Sequence, residues 1–218
     1  MFIGHFAVGL GAKAAAPKAS LGSLFLAAQF LDLLWPTLLL FGVEHVEIVP
    51  GITKLTPLDF VHYPITHSLL MACVWGLLFF GIYKITSKDT RIAIIMGLCV
   101  VSHWVLDLVV HRPDLPLTLS GDARLGWGLW NMPAATFLIE GLLYVAGIYL
   151  YLKTTHAKNK AGVYGFWGMT GFLALIYVAN VFGPPPPNEM AIAWAGQLQW
   201  IFVIMAYWVD RNRTAVTV

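Results

Sequence analysis

Two short stretches of the chain carry side chains that could do chemistry. "SHWVLD", residues 102–107, sets His103 and Asp107 four positions apart. On a helix that spacing stands an imidazole and a carboxylate one turn apart on one face. His111 continues the stripe if the helix runs that far. A nitrogen and an oxygen so placed can hold one cation, or they can hydrogen-bond to each other and lock membrane helices together. "HYPITHS", residues 62–68, brings His62 and His67 to the head of a long apolar run. Pro64 interrupts the start, which leaves His62 in an entering loop and His67 in a first helical turn. From there both rings can face one centre, with Thr66 or Ser68 capping the helix or supporting a ligand from behind. The alternative is that Thr66 caps and both histidines are wetted interface residues.

These residues need elements to position them, and composition says of what kind. Only 11% of the 218 residues are charged, 59% are hydrophobic, and the mean hydropathy is +0.75. A soluble domain carries roughly a quarter charged residues, so this chain is expected to lie in a membrane. A net charge of +2 gives no reason to expect nucleic acid as a partner. Apolar runs of about 20 residues cross a bilayer as helices, and six occur, at 21–41, 69–85, 91–110, 133–152, 163–183 and 190–209. The segment 2–16 is apolar but short. It either stands half-depth and antiparallel to the first span, raising His5 to the level of Asp32, or lies as an amphipathic helix on the cytoplasmic surface. The fold expected is therefore all-α: one polytopic helical bundle over residues 1–218, with six spans and a short N-terminal helix as a possible seventh.

Proline and glycine clusters at 49–57, 111–117 and 183–189 mark turns. Ten of the 13 lysines and arginines fall at one set of turns and at the C-terminal end, and only Lys54, Arg112 and Arg124 at the other. The positive-inside rule puts the ten in the cytoplasm. Loops 42–68 and 111–132 then face outward, as in a bacterial inner membrane protein, and Trp35, Trp127 and Trp130 fit an interfacial belt. The first residues lack the order of a signal peptide and are expected to remain in the mature protein. Cys73 and Cys99 lie in apolar runs, read as packing residues without a disulfide. The glycines of "GVYGFWGMTG", residues 162–171, suit close helix packing. No P-loop, dinucleotide Gly-x-Gly-x-x-Gly or Gly-x-Ser-x-Gly elbow occurs.

Ionisable side chains inside spans are costly and mark functional sites by default. Here they are Asp32, His67, His103, Asp107 and Glu140. Followed along the direction of each span, all five come to the same outer layer of the bilayer. The inner halves carry only scattered uncharged polar residues, which favours a closed pocket over an ion conduit.

The ordered set His5, Asp32, "HYPITHS" and "SHWVLD" resembles the YdjM-like family of membrane-bound, metal-dependent hydrolases. That family has an early histidine, a Pro-Asp-x-Asp segment, a His-x-x-x-Thr-His-Ser block and a Ser-His-x-x-x-Asp block. The resemblance covers residues 1–116. It departs at "QFLD", residues 29–32, where Phe30 stands in place of the family's first aspartate. The resemblance implies a hydrolase with one or two divalent ions, Zn first and Mn or Fe after it, held by His5, Asp32, His62, His67, His103 and Asp107. Asp114 and Glu140 are then candidate general bases, and they or His111 could replace the missing carboxylate. At headgroup depth the expected partner is membrane lipid, and the expected substrate a lipid, a lipid-linked ester or phosphoester, or a similar small molecule. The other reading is a metal-binding or ion-handling membrane protein without catalysis. Neither reading fixes an oligomeric state.

Overall fold

The computed structural model describes residues 1–216, and the chain is an all-α helical bundle. It opens with α1 (Ile3–Ala15) and α2 (Leu21–Ala28), followed by α3 (Phe30–Leu40). A hairpin of β1 (His45–Ile48) and β2 (Leu58–His62) leads into the one-turn helix α4 (Pro64–His67). Then come the long helices α5 (Leu69–Thr86), α6 (Thr90–Val110), α7 (Pro133–Thr154) and α8 (Lys160–Phe182). The bundle ends with α9 (Glu189–Gln197) and α10 (Gln199–Arg211). Five helices are long and apolar enough to cross a membrane, α9 and α10 counting as one, and a sixth is present if the bent pair α2–α3 is one span. The chain is thus built to be embedded in a bilayer.

Polar caps set the starts of several spans. Ser20, Ser68, Asp89, Asn159 and Asn188 each accept a first-turn backbone N–H of α2, α5, α6, α8 and α9, which satisfies donors that lipid cannot. Ser68, and not Thr66, therefore caps the long helix after "HYPITHS". Helices α5 and α6 form a tight hairpin in which a Cβ on Gly97 would lie 2.8 Å from the carbonyl oxygen of Gly76. This close approach seats the first half of α6 directly on α5. In α8, a Cβ on Gly165 would lie 2.3 Å from the Trp208 ring, whereas Gly168 and Gly171 face open space. The small-residue stretch therefore packs at only one of those three glycines.

One expected span is broken: the run 21–41 bends by 58° at Gln29. The run 190–209 carries only a local irregularity at Leu198, whose backbone stays helical. The two runs lie side by side, α2 on α10 and α3 on α9. Gln199 Nε2 reaches the Asp32 carbonyl oxygen at 3.4 Å, a group whose helical partner would have been the missing N–H of Pro36. The N-terminal helix takes the half-depth arrangement, packing on α7, α2 and α6. Helix α6 stops at Val110, so His111 caps its end instead of continuing the stripe.

Two apolar cores result. One gathers buried residues such as Leu24, Leu31, Phe60, Ala72, Met96 and Trp104 from α2, α3, α5, α6 and the β1–β2 hairpin. The other gathers Phe6, Leu10, Tyr151, Phe166 and Phe202 from α1, α7, α8 and α10. Both cysteines are free thiols.

Candidate metal centre

Four helices deliver five ionisable side chains to one place. Asp32 comes from the first turn of α3, His67 from the last residue of α4, His103 and Asp107 from α6, and His5 from α1. Two imidazole nitrogens and two carboxylate oxygens alternate around a ring. His67 Nε2 lies 3.3 Å from Asp32 Oδ1 and 3.8 Å from Asp107 Oδ2. His103 Nε2 lies 3.6 Å from Asp32 Oδ1 and 3.3 Å from Asp107 Oδ2. Donors each about 2.0–2.2 Å from one ion lie roughly 2.8–3.6 Å apart, and three of the four edges fall near that range. Two triads, Asp32–His67–His103 and His5–His103–Asp107, each keep their ligand atoms within 4.8 Å of one another. His5 Nε2 sits on the other oxygen of Asp107, at 3.1 Å, and its ring stacks flat on that of His103 with centroids 3.5 Å apart. The Met1 amine also donates to Asp107 Oδ1.

Hydrogen bonds behind the ring decide which nitrogen carries the proton. His103 Nδ1 lies 2.8 Å from the Ala28 carbonyl oxygen. A carbonyl only accepts, so Nδ1 is protonated, and in the neutral ring Nε2 is the atom left to bind a cation. The bend at Gln29 lies directly after Ala28, so the break in the span sits where its carbonyl serves α6. His67 Nδ1 lies 2.7 Å from Thr66 Oγ1, and that hydroxyl donates to Glu44 Oε2 at 2.6 Å. With its one proton spent on Glu44, Thr66 accepts from His67 Nδ1, and in the neutral ring Nε2 is again the atom left to bind a cation. Both Nε2 atoms thus face the two carboxylates. Such an array is satisfied by protons on the imidazoles or, with the imidazoles neutral, by one cation among the four groups. His103 Nε2 is fully buried and, although 3.3 Å from Asp107 Oδ2, makes no well-oriented hydrogen bond among the described residues, which leaves it able to take a metal.

The ring is closed on most sides. His67, His103 and Asp107 are almost wholly buried, while the Asp32 side chain keeps 23% of its surface exposed. Access to the centre therefore runs past Asp32.

His62 is not brought to the ring. It ends β2 as an exposed residue opposite His45, because strand pairing holds the loop in which it was expected to turn inward. Asp114 is buried, but its carboxylate is taken up by His111 Nδ1 at 2.9 Å, Arg112 Nε at 3.1 Å and the Tyr63 hydroxyl at 3.4 Å. Burial beside that carboxylate pushes the Tyr63 hydroxyl well above its ordinary range. Glu140 accepts the Gly4 backbone N–H at 3.3 Å, at the start of α1. Phe30 faces α5, against Trp75 and Phe79, so the position of the family's first aspartate is turned away from the ring. Of the three tryptophans expected at the interface, Trp127 is 73% exposed. Trp35 instead packs on Phe60 and His67, and Trp130 on Phe60 and His111.

No family model matches the chain, and neither a curated protein nor a solved structure matches it. The donor set itself limits the chemistry. Neutral imidazoles with carboxylates suit Zn, Mn or Fe(II) better than Mg or Ca, which favour all-oxygen shells. Sequence reading missed Glu44 and the Ala28 carbonyl. Neither carries a local signal, because Glu44 meets Thr66 only through the β1–β2 hairpin, and a backbone oxygen is invisible until a helix breaks beside it.

Proposed function

We propose that the chain is a membrane-embedded, metal-dependent hydrolase whose divalent ion is held by His67, His103, Asp32 and Asp107, with His5 on the outer oxygen of Asp107. The observation that carries this is the pair of imidazole Nε2 atoms, each with its Nδ1 engaged from behind, turned toward the buried Asp107 and the half-buried Asp32 carboxylates. Zn fits the set best, and Mn and Fe also fit. The resemblance to the YdjM-like hydrolases supports the reaction class. When bound, such an ion supplies Lewis acidity and lowers the pKa of its water toward ~7.

The side chains then divide the work. His67 and His103 are held in one tautomer by Thr66 and Ala28. Asp107 is steadied by His5. Asp32, at the open edge, is the group a substrate oxygen meets first. The charge distribution of the loops sets this edge toward the outside of a bacterial inner membrane, at headgroup depth. A lipid or lipid-linked ester or phosphoester is the substrate class that reaches it.

A second reading has its own support, namely that every ring member except Asp32 is buried. The ion then joins α1, α3, α4 and α6 as a structural clamp without catalysis. Protein purified in detergent without chelator separates the readings. Elemental analysis is expected to find near-stoichiometric Zn, Mn or Fe. The hydrolase reading requires that mixed vesicles containing phosphatidic acid, or chromogenic esters and phosphodiesters, be cleaved, with loss of cleavage in Asp32→Asn. Metal without cleavage of any of these leaves the clamp, and no metal at all overturns both.

A further inference from the structure

Glu44 is a buried acid beside the centre that plays no part in the ring itself. It lies between α3 and β1, is wholly buried, and receives three hydrogen bonds. The backbone N–H groups of Ile65 and Thr66 donate to Oε1 at 2.8 and 2.9 Å, and the Thr66 hydroxyl donates to Oε2 at 2.6 Å. All three donors are neutral groups of the segment that carries His67. Sinking a carboxylate onto neutral donors is costly, and a glutamine could accept the two backbone N–H groups equally well. What a carboxylate adds is polarity. It only accepts, and at 2.6 Å it is the nearer of two acceptors for the Thr66 hydroxyl, the other being the Tyr63 carbonyl at 3.4 Å. The oxygen of that hydroxyl is then an acceptor toward His67 Nδ1, 2.7 Å away.

We propose that Glu44 is a positioning residue for the metal centre, acting through Thr66 to hold His67 in the tautomer that offers Nε2 to the cation. This rests on the metal-binding part of the reading above. It adds a carboxylate–hydroxyl–imidazole relay, 21 to 23 residues long in sequence, that joins the outer hairpin to the ring. His103 has a backbone carbonyl in the same role, so the two histidines are fixed by different means. Only the His67 arm can be broken by changing a side chain.

The tests are Glu44→Gln, Thr66→Val and Thr66→Ser in the full chain, with His103→Ala alongside. Zn affinity is read by chelator competition, and the tautomer of His67 by histidine 15N shifts in metal-free protein. Glu44→Gln and Thr66→Val are expected to weaken Zn binding by roughly ten- to a hundredfold and to shift His67 away from the Nδ1–H form. Thr66→Ser, which keeps the hydroxyl, is expected to restore both. Wild-type affinity and an unchanged His67 spectrum in Thr66→Val would overturn the relay, even if His103→Ala shows that the metal site is real. Where the wild type binds no Zn, the metal reading fails, and the tautomer of His67 still decides whether the relay exists. Should Glu44→Gln not fold, the Thr66→Val and Thr66→Ser pair decides alone, because it leaves Glu44 and its two backbone bonds in place.

Discussion

The bundle holds two buried polar clusters that solve the same problem in opposite ways. At the far end of α1 from His5, Lys13 Nζ donates to both oxygens of Asp210 at 2.9 Å and to the Ala19 carbonyl at 2.7 Å. Tyr151 donates to the same aspartate at 3.1 Å. Beside it, Arg213 bonds Thr155 and the Gly162 carbonyl and lies over the rings of Tyr151 and Phe166. There every cation has an anion or a carbonyl. At the other end, imidazole Nε2 atoms face carboxylates, and that of His103 makes no well-oriented hydrogen bond among the described residues. One cluster is complete within the chain. The other gathers imidazoles and carboxylates around a common centre, with the Met1 amine on one oxygen of Asp107. The proposed metal would complete it, and that difference separates a structural clasp from a candidate site.

The largest expected effect is at the ring. His103→Ala and Asp107→Asn should each take bound metal from near-stoichiometric to background in elemental analysis, because one helix face supplies both groups. Lys13→Met and Asp210→Asn should leave the metal content unchanged. If the clasp variants lose metal as readily as the ring variants do, the contrast between the ends is false.

Next in size is stability. Removing one partner of a buried ion pair leaves the other charge unpaired, at a cost of about 3–5 kcal/mol. Lys13→Met should therefore lower the thermal midpoint in detergent by several degrees, with or without EDTA. The ring should behave differently. Chelation alone should lower the wild-type midpoint, since a ligand bound only to the native state at a thousand times its Kd stabilises by about 4 kcal/mol. In His103→Ala, EDTA should change nothing. A wild type indifferent to EDTA would sink the proposed dependence of that end on a cation.

How much of this contrast was legible in the sequence varies by residue. Long apolar runs made the spans readable, because lipid leaves the backbone no choice but helix. The i, i+4 spacing made His103 and Asp107 a pair before any coordinates. The bend at Gln29 was not legible. Pro36, the usual mark of a break, lies seven residues later in the interior of α3, and the partner of the freed carbonyl is on α6. The complete cluster was equally hidden. Lys13 was readable as a cytoplasmic charge but not as buried, since Asp210 is 197 positions away.

Phe30 offers a smaller test of the same contrast. Since its ring packs on Trp75 and Phe79, Phe30→Asp should not increase metal stoichiometry. It should instead destabilise, by placing a carboxylate among aromatic rings without a partner. A second equivalent of metal in Phe30→Asp would mean that α3 can rotate its first turn toward the ring.

His62 gives the smallest expected effect and the sharpest boundary. It shares a heptapeptide with His67 and matches the same motif, so motif membership alone would assign both to the metal. The backbone separates them. Residue 62 is held by pairing with His45 at the end of the hairpin, while residue 67 ends a helix whose start is tied to Glu44. His62→Ala should therefore keep full metal occupancy and shift stability by no more than about 0.5 kcal/mol, as an exposed substitution does. A loss of metal in this variant would mean that the hairpin folds over the Asp32 edge when the ion binds. The boundary between ring and surface would then have to be drawn five residues earlier.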